Sequence, residues 1–457
     1  MLYELPLITA STPIREAIQT IGRSRYNEAV VVDADQRYIG GISIADMRRL
    51  LVSGVSESDE VGAYPVKFTV SISGQDLGDP QRLEAALADA RLAGAHYVPM
   101  LTPTGEVADV TSVDDLQKTL GQTIDAAPAV REKILVVGGA GYLGSVLTRK
   151  LLAAGYSVRV LDSFIYGRRA LEDLIGDEHL EIVEGDMRNI HTCVTALDGV
   201  HGVVLLAAIV GDPASKVRPA ETIETNVLAA QALASACRLQ AIPRFIYAST
   251  CSVYGVGEDM LHEDSPLNPV SLYARTKIAS EKIILDMGDD YFCPTILRMG
   301  TLYGDSPRMR FDLVVNTMSM KSYTDRTINV FGGTQWRPLL GVEDAADVYV
   351  ACLQADLKDV GNQVFNVGSN EQNYQIDQIA EMIGAALGDI PIQRDDSSLD
   401  ARDYRVSFAK IEAAIGFRPR QSIAGQARAI YGKLETGAIK DPAQKIYYNH
   451  YFDNSEE

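Results

Sequence analysis

Short apolar runs alternate with longer amphipathic stretches from about residue 133 onward. The runs are ILVVGG, YSVRVLD, LEIVEGD, GVVLLAA, RFIYAST and FCPTILRM. Each has the length of a strand, and the segments between them show the apolar spacing of helices. Strands that alternate with helices in this way predict an α/β fold, in which a doubly wound parallel sheet carries helices on both faces.

The pattern becomes less regular from about Met299. Short strands such as TINVFGG and VFNVGS are mixed with helical stretches such as IDQIAEMIGAAL. We expect the sheet domain to end near residue 298 and residues 299–430 to form a smaller lobe over the carboxyl ends of the strands. A ligand cleft is then expected between the sheet and the lobe.

A change in composition marks a boundary before the first of these strands. The segment QTIDAAPAVRE, residues 122–132, is small and polar, and the apolar run follows at once. A chain of 457 residues is also too long for one compact core. We therefore expect a module at residues 1–125, a linker at 126–132 and a second domain at 133–457.

The first 125 residues contain an internal repeat of strand, turn, strand and helix, with a period of about 70 residues. Ser43 and Asp46 stand three residues apart at one predicted helix start, and Thr111 and Asp114 stand likewise at the other. The module resembles a tandem pair of CBS domains, an α+β fold. The resemblance implies that these groups hold the ribose of a regulatory adenine nucleotide. Alternatively, they only begin helices in a dimerisation module.

Charge and cysteine usage exclude several classes of function. The formal net charge of −19 disfavours nucleic acid and anionic membranes as partners. Five scattered cysteines without a C-x-x-C pair predict no disulfide framework and no metal site. The chain has no apolar run of membrane-spanning length and no basic, apolar start. We therefore expect a cytoplasmic protein.

A glycine-rich turn follows the first strand of the second domain and precedes a helix. Such a turn admits a pyrophosphate at the helix amino terminus, which predicts dinucleotide binding. Asp162 ends the next strand, where it can bind ribose hydroxyls and repel a 2′-phosphate, so NAD is expected rather than NADP. The expected cofactor contacts are Gly138, Gly141, Tyr142, Leu143, Gly144, Asp162, Asp186, Met187, Ala207, Asn226, Tyr273 and Lys277.

Tyr273 and Lys277 lie four residues apart in a helical segment, SLYARTKIASEK, and so share one face. Free tyrosine has a pKa of about 10, too high for a general base at neutral pH. We expect the neighbouring ammonium, together with the positive nicotinamide, to lower that pKa. Thr250 ends a buried strand 23 residues before Tyr273 and adds a hydroxyl to the set.

Together, the motifs GGAGYLG, ASTCSVYG, YARTK and RPLLGVED, with Asp186 after its glycine, resemble the NAD-dependent epimerase/dehydratase family. This family belongs to the extended short-chain dehydrogenases/reductases and has a Rossmann-type sheet; the likeness spans roughly residues 133–430. It implies a nucleotide-sugar substrate, a homodimer or higher homo-oligomer, and catalysis by Thr250, Tyr273 and Lys277. The implied reaction is transient oxidation at C4 of the sugar.

One departure from the family's pattern bears on the reaction. The family's 4,6-dehydratases carry an Asp–Glu pair directly after the triad threonine, where this chain has Cys251 and Ser252. This favours a 4-epimerase and leaves a 4-ketoreductase or 4,6-dehydratase as the alternative. A catalytically silent nucleotide sensor is a further alternative, which the intact triad disfavours.

Several arginines are candidates for the substrate's diphosphate, since guanidinium groups bind phosphate oxygens bidentately. Arg337 stands where the family has such an arginine. The expected substrate contacts are Thr250, Arg308, Arg337, Arg402 and Tyr404. Asp212 and Lys216, after the fourth strand, are also placed near the sugar. The aromatic tail YYNHYF is expected to pack or to contact another subunit.

Overall fold

The computed structural model describes residues 6–23, 28–52, 54–64, 70–73, 76, 79–93, 95, 97–113, 116, 131–240, 242–289, 291–395 and 402–449. The chain divides into two compact units, residues 1–132 with 356–358, and residues 133–355 with 359–457. Within the described ranges, no helix combines the length and the apolar character needed to cross a membrane.

The first unit contains two repeats of the same order. The first repeat consists of β1 (Leu7–Thr9), α1 (Ile14–Arg23), β2 (Glu28–Val32), β3 (Tyr38–Ser43) and α2 (Ile44–Val52). The second contains β4 (Ile72–Ser73), α3 (Pro80–Ala93), β5 (Tyr97–Leu101) and β6 (Val107–Ser112). In each three-stranded sheet the first strand runs parallel to the second, and the second runs antiparallel to the third.

The strand register corrects one sequence-based equivalence. Ser43 ends β3 and Ser112 ends β6, each opposite the first residue of the preceding strand. Ser112, rather than Thr111, therefore occupies the place of Ser43 in the second repeat. The error is one residue, which moves a side chain to the other face of a strand. Asp114 lies outside the described residues.

Hydrogen bonds at the first helix start agree with the capping pattern. The Ser43 hydroxyl donates to Asp46 Oδ2 at 2.6 Å, and the Asp46 backbone N–H donates to Ser43 Oγ at 3.2 Å. Ser73 and Asp76 form the same hydroxyl–carboxylate bond at 2.7 Å. The Ser43–Asp46 pair lies at the start of α2 and caps it, whereas the Ser73–Asp76 pair follows β4 and lies four residues before α3. The likeness to CBS domains stays a prediction.

The second unit is built on a seven-stranded sheet in the order β17-β13-β11-β10-β7-β8-β9. The strands are β7 (Lys133–Val137), β8 (Ser157–Asp162), β9 (Leu180–Glu184), β10 (Gly202–Leu205), β11 (Arg244–Thr250), β13 (Cys293–Met299) and β17 (Gln363–Val367). Every neighbouring pair is parallel. The predicted doubly wound parallel sheet is confirmed. The segment VFNVGS, expected in the lobe, instead adds the seventh strand.

Alternate residues of the central strands enter two different apolar clusters. Ile134 and Val136 of β7 pack in one cluster, whereas Leu135 and Val137 pack in the other. Both faces of the sheet are therefore covered, as a parallel sheet requires. The covering helices include α4 (Tyr142–Ala153), α5 (Ile190–Ala196), α6 (Asp212–Val217), α7 (Pro219–Ile223), α8 (Ala230–Leu239) and α9 (Leu272–Asp286).

The remaining elements of the second unit form the mixed lobe that the irregular pattern predicts. Its strands are β12 (Val256–Leu261), β14 (Thr301–Tyr303), β15 (Ile328–Phe331), β16 (Trp336–Gly341), β18 (Asn373–Gln375), β19 (Ile392–Asp395) and β20 (Asp403–Val406). Its helices are α10 (Val314–Thr324), α13 (Ile376–Ala386), α14 (Ala409–Ile415) and α15 (Ile423–Glu435), while α11 (Val342–Gln354) and α12 (Leu357–Val360) lead back to β17. Residues of α10, α13, α15, β15 and β16 share one apolar cluster.

Candidate active site

A cavity of about 900 Å³ lies at the carboxyl ends of the central strands, between the sheet and the lobe. Its walls include the strand ends Val137, Asp162 and Thr250. Open parallel sheets bind their ligands at this edge, because the loops that follow neighbouring strands meet there. The cavity is therefore the candidate site for both cofactor and substrate.

The glycine turn fits a phosphate group. Gly138 has a φ of +89°, and a Cβ there would lie 2.7 Å from the backbone nitrogen of Ala207. A Cβ on Gly144 would lie 2.0 Å from the carbonyl oxygen of Gly138. Gly141 is the N-cap residue of α4 and makes no side-chain hydrogen bond to the helix. No capping side chain therefore occupies the first N–H groups of this helix at the cavity. A pyrophosphate satisfies such groups.

Replacing Gly144 by alanine should destroy dinucleotide binding. The new methyl group would collide with the backbone of Gly138, so the turn has to open and the amides lose their arrangement. We expect the affinity for NAD, measured by calorimetric titration, to fall at least about a hundredfold. A loss of this size corresponds to two or more charge-assisted hydrogen bonds. Gly432→Ala is the matched control, since no atom lies within 4 Å of the place that its new methyl group would take. Equal affinities of the two variants would contradict this.

The carboxylate of Asp162 is fixed beside the glycine turn. Its Oδ2 accepts from the Ala140 N–H at 2.9 Å and its Oδ1 accepts from the Phe164 N–H at 2.8 Å. Burial raises the pKa of Asp162, while these backbone bonds and the charge of Arg308 oppose the rise. Each oxygen keeps a lone pair for a hydroxyl, which agrees with the expected ribose contact.

The other expected cofactor residues divide into two groups. Asp186, Met187 and Ala207 line the cavity, and Asp186 also holds Arg188 through its side chain. The carboxamide of Asn226, by contrast, accepts from the backbone N–H of Ile209 at 2.8 Å and donates to its carbonyl at 3.0 Å. We therefore correct the role of Asn226 from cofactor contact to a residue that holds the cavity loop.

Thr250, Tyr273 and Lys277 come together at the cavity wall. Thr250 ends β11, where its hydroxyl favours the phenolate of Tyr273. Lys277 lies one turn after Tyr273 in α9, with its Nζ 5.9 Å from the centre of the tyrosine ring. The ammonium donates to the carbonyl of Ala248 at 2.8 Å, which fixes it beneath the site. The spatial grouping agrees with the spacing argument.

The acid–base balance of this group differs from the sequence-based expectation. Burial raises the pKa of Tyr273 to about 12, and the charge of Arg310 and the hydrogen bond from Thr250 only partly offset it. Burial also lowers the pKa of Lys277 to about 7, against the charge of Glu281. In the protein without cofactor, burial therefore sets the pKa values of both groups. The lowering expected from Lys277 together with the positive nicotinamide stays a prediction for the complex with NAD.

Arg310 is a site residue whose role sequence reasoning missed. Its buried guanidinium binds both oxygens of Asp312, each at 2.9 Å, and its charge favours the phenolate of Tyr273. The pattern SPRMRFD contains a signal, because Arg310 stands two residues before an aspartate that can pair with it.

Three of the expected substrate residues form one group at the lobe side of the cavity. Arg337 donates to the backbone carbonyl of Arg402 at 2.6 Å. Tyr404, two residues later, places its hydroxyl 3.4 Å from Ser252 Oγ. Asp212 faces them, with Oδ2 3.8 Å from Arg402 Nε and Oδ1 buried without a hydrogen-bond partner. Arg308 has other partners, since it bonds to Asn449 and stacks on Tyr166.

The two positions after the triad threonine carry no carboxylate. Cys251 is buried and donates its thiol to the carbonyl of Arg298 at 3.2 Å, and burial raises the pKa of that thiol. Ser252 lines the cavity. Neither side chain is equipped to move a proton at neutral pH.

Comparisons with known proteins agree with this geometry. The model of the NAD dependent epimerase/dehydratase family matches residues 134–368. The UDP-glucose 4-epimerase of Corynebacterium glutamicum is 28% identical over 311 residues, 64% of this chain and 92% of that protein. The structure of UDP-glucuronic acid 4-epimerase from Bacillus cereus, with UDP-glucuronic acid and NAD, is 26% identical, with a TM-score of 0.59 over 66% of this chain and 99% of that one.

A solved dehydratase is equally similar. An NAD-dependent NDP-hexosamine 5,6-dehydratase of tunicamycin biosynthesis is 25% identical, with a TM-score of 0.59 over 68% of this chain and 100% of that one. The family model covers just over half of the chain, and the glycine turn with Asp162 fits its cofactor. The chain is therefore an enzyme of the NAD dependent epimerase/dehydratase family, and its cofactor is NAD.

Proposed function

We propose that the second unit is a nucleotide-sugar 4-epimerase that oxidises its substrate transiently at C4. The observation that carries this proposal is the grouping of Thr250, Tyr273 and Lys277 in a cavity that also contains Arg337 and Arg402. The set provides an acid–base group for a hydroxyl and, nearby, cations for a diphosphate. The UDP-sugar 4-epimerases among the similar proteins support the same substrate class.

Tyr273 and its neighbours move the proton of the reaction. Bound NAD supplies the acceptor and donor of the C4 hydride. Tyr273 takes the proton of the sugar's 4-hydroxyl, with Thr250 bridging by a hydrogen bond. The charge of Arg310 favours the phenolate that the transfer requires. The keto sugar turns over before the proton and hydride return to its other face.

Substrate recognition follows from the lobe side of the cavity. Arg337 and Arg402 offer guanidinium groups to the diphosphate, and Ser252 and Tyr404 offer hydroxyls to the sugar. The buried, unpartnered Oδ1 of Asp212 is an acceptor for a further sugar hydroxyl.

A 4,6-dehydratase is the second candidate, because Asp212 puts one carboxylate in the cavity. Its charge reaches Tyr273, whose pKa is raised chiefly by burial and further by Asp212. Elimination needs an acid and a base besides Tyr273, and Cys251 and Ser252 supply neither. A 4-ketoreductase uses the same triad and consumes a reduced cofactor. Of the three reactions, epimerisation requires the fewest groups beyond the side chains present in the cavity.

The test is incubation of the purified chain with UDP-, dTDP-, GDP- and CDP-sugars, with and without NADH, followed by NMR of the products. We expect the 4-epimer of one sugar without added NADH. Product that appears only with NADH indicates a ketoreductase, and loss of water indicates a dehydratase. No turnover of any sugar by NAD-loaded protein would overturn the proposal.

Asp162 should make the enzyme prefer NAD to NADP. The 2′-phosphate of NADP would be repelled by the carboxylate of Asp162. We therefore expect NAD to bind at least about tenfold more tightly than NADP. Asp162→Asn should bring the affinities for NAD and NADP closer together, whereas Asp198→Asn, at an exposed position, should leave their ratio unchanged. The measurement is titration of cofactor-free protein with both dinucleotides. Tighter binding of NADP by the unaltered chain would reverse this assignment.

We propose a regulatory role for the first unit, in which an adenine nucleotide binds at its hydroxyl–carboxylate pairs. The bonded pair Ser43–Asp46 supports this, since a carboxylate at a helix start can accept from a ribose diol. The test is titration of AMP, ADP and ATP into the NAD-saturated chain and its Asp46→Asn variant. We expect binding that the substitution weakens. If no nucleotide binds, the regulatory role fails and dimerisation is left.

A further inference from the structure

Two arginines reach the cavity from the loop between β14 and α10. Arg308 and Arg310 have relative exposures of only 6% and 8%. Arg310 is neutralised by its bidentate bond to Asp312. Arg308 has no such partner: among the described residues, no carboxylate oxygen lies within 4.0 Å of its guanidinium.

The contacts of Arg308 orient it but do not neutralise it. Its Nη2 donates to the Asn449 side-chain oxygen at 2.8 Å, and its guanidinium stacks 3.6 Å from the centre of the Tyr166 ring. Its Nε is buried without a hydrogen-bond partner. Burial lowers the pKa of Arg308 to about 10. Burial of a cation with an unused hydrogen-bond donor costs free energy unless an anion pairs with it.

The position of Arg308 indicates which anion this is. Its charge acts on Asp162, whose pKa is raised by burial and lowered by two backbone bonds and by Arg308. The neighbouring Arg310 lies 5.9 Å from the ring of Tyr142, the first residue of α4. Arg308 itself stacks on Tyr166, on the loop directly after Asp162, and Asp162 is bonded to Ala140 of the glycine turn. Arg308 therefore lies at the cofactor side of the cavity.

The cavity thus contains two pairs of arginines, which lie in different parts of it. Arg337 and Arg402 are joined to each other at the lobe side, near Tyr404. Arg308 and Arg310 are joined through their common loop at the cofactor end. NAD and a nucleotide sugar each carry one diphosphate. The lobe-side pair matches one of these groups, and Arg308, which has no bidentate bond of the kind that Arg310 makes to Asp312, matches the other.

We propose that Arg308 binds the pyrophosphate of NAD, held in position by Tyr166 and by Asn449 of the C-terminal segment. This rests on NAD as the cofactor and replaces the expected substrate contact of Arg308. It is independent of whether the reaction is epimerisation.

The C-terminal segment is bound to the arginine loop at several points. The Phe311 N–H donates to the carbonyl of Tyr447 at 2.9 Å, and the two rings meet edge to face at 5.4 Å. The Asn449 N–H donates to Asp312 Oδ2 at 3.2 Å. These contacts place the Asn449 carboxamide at Arg308, which gives part of the aromatic tail a positioning role.

The experiment is calorimetric titration of the cofactor-free full chain with NAD, ADP-ribose, adenosine and UDP. In Arg308→Gln we expect at least about tenfold weaker binding of NAD and ADP-ribose, the loss of one charge-assisted contact, with adenosine and UDP unchanged. Arg418→Gln, at an exposed position, is the matched control and should change none of the four.

Two further variants keep the proposal testable if Arg308→Gln does not fold, as judged by circular dichroism. Arg308→Lys keeps the charge but loses the planar fork, so NAD binding should weaken less than in the glutamine variant. Asn449→Ala should weaken NAD and leave UDP unchanged. The proposal is overturned if the folded variants lose affinity for UDP instead of NAD, or bind all four ligands as the unaltered chain does.

Discussion

Tyr273→Phe should abolish turnover while leaving the affinity for NAD unchanged. The substitution removes one oxygen from a buried ring and keeps the packing of α9. General acid–base catalysis contributes about 10²- to 10⁴-fold, and Tyr273 is the acid–base group of the proposed proton transfer. We therefore expect kcat to fall at least about a thousandfold, near the upper part of that range. Turnover within tenfold of the unaltered chain would refute the assignment.

Tyr404→Phe is the control within the same cavity. Its hydroxyl is 3.4 Å from Ser252 Oγ and takes no part in the proposed proton transfer. We expect a change mainly in KM for the nucleotide sugar, because a substrate contact is lost and the proton step is kept. An equal loss of kcat in both variants would remove the distinction between acid–base group and binding group.

Arg298→Met should strongly destabilise the second unit. Arg298 Nη2 binds Glu281 Oε2 at 2.7 Å, and the two side chains are 6% and 4% exposed. Removing one partner of a buried ion pair costs about 3–5 kcal/mol, because the other charge is left unpaired. The measurement is urea unfolding followed by the fluorescence of Trp336, the single tryptophan of the chain, which lies in the second unit.

The exposed pair Arg418–Glu412 provides the control for this measurement. Its side chains are 78% and 38% exposed, and such pairs contribute about 0–1 kcal/mol. Arg418→Met should therefore leave the unfolding transition nearly unchanged. A loss of similar size in both variants would mean that burial does not set the strength of the Arg298 pair.

The central sheet is predictable because its signals are local. Each of the first six strands of this sheet along the chain lies in a short, mainly apolar run, and the glycine turn follows the first of them directly. The strand β17 is misassigned from sequence because VFNVGS is as short as the strands of the lobe. Its place beside β13 is set by pairing across more than 60 residues, as between Thr295 and Gln363, which apolar spacing does not reveal.

Site residues that share one helix or strand can be grouped from the sequence. Site residues that come together from distant segments are harder to predict. Tyr273 and Lys277 share a helix, and their grouping follows from spacing. The environment of Arg308 depends on Asn449, 141 residues away, so no local pattern separates Arg308 from the substrate arginines. The effect of burial on the pKa of Tyr273 is hidden from the sequence for a similar reason, since desolvation is a property of the folded cavity.

The most direct test of transient oxidation at C4 uses a nucleotide sugar that carries deuterium at C4. We predict a 4-epimer that retains the deuterium at C4, with no net consumption of cofactor and no deuterium lost to water. Deuterium recovered at C6 of a dehydrated product, or product formed only at the expense of NADH, would contradict transient oxidation followed by return of the hydride.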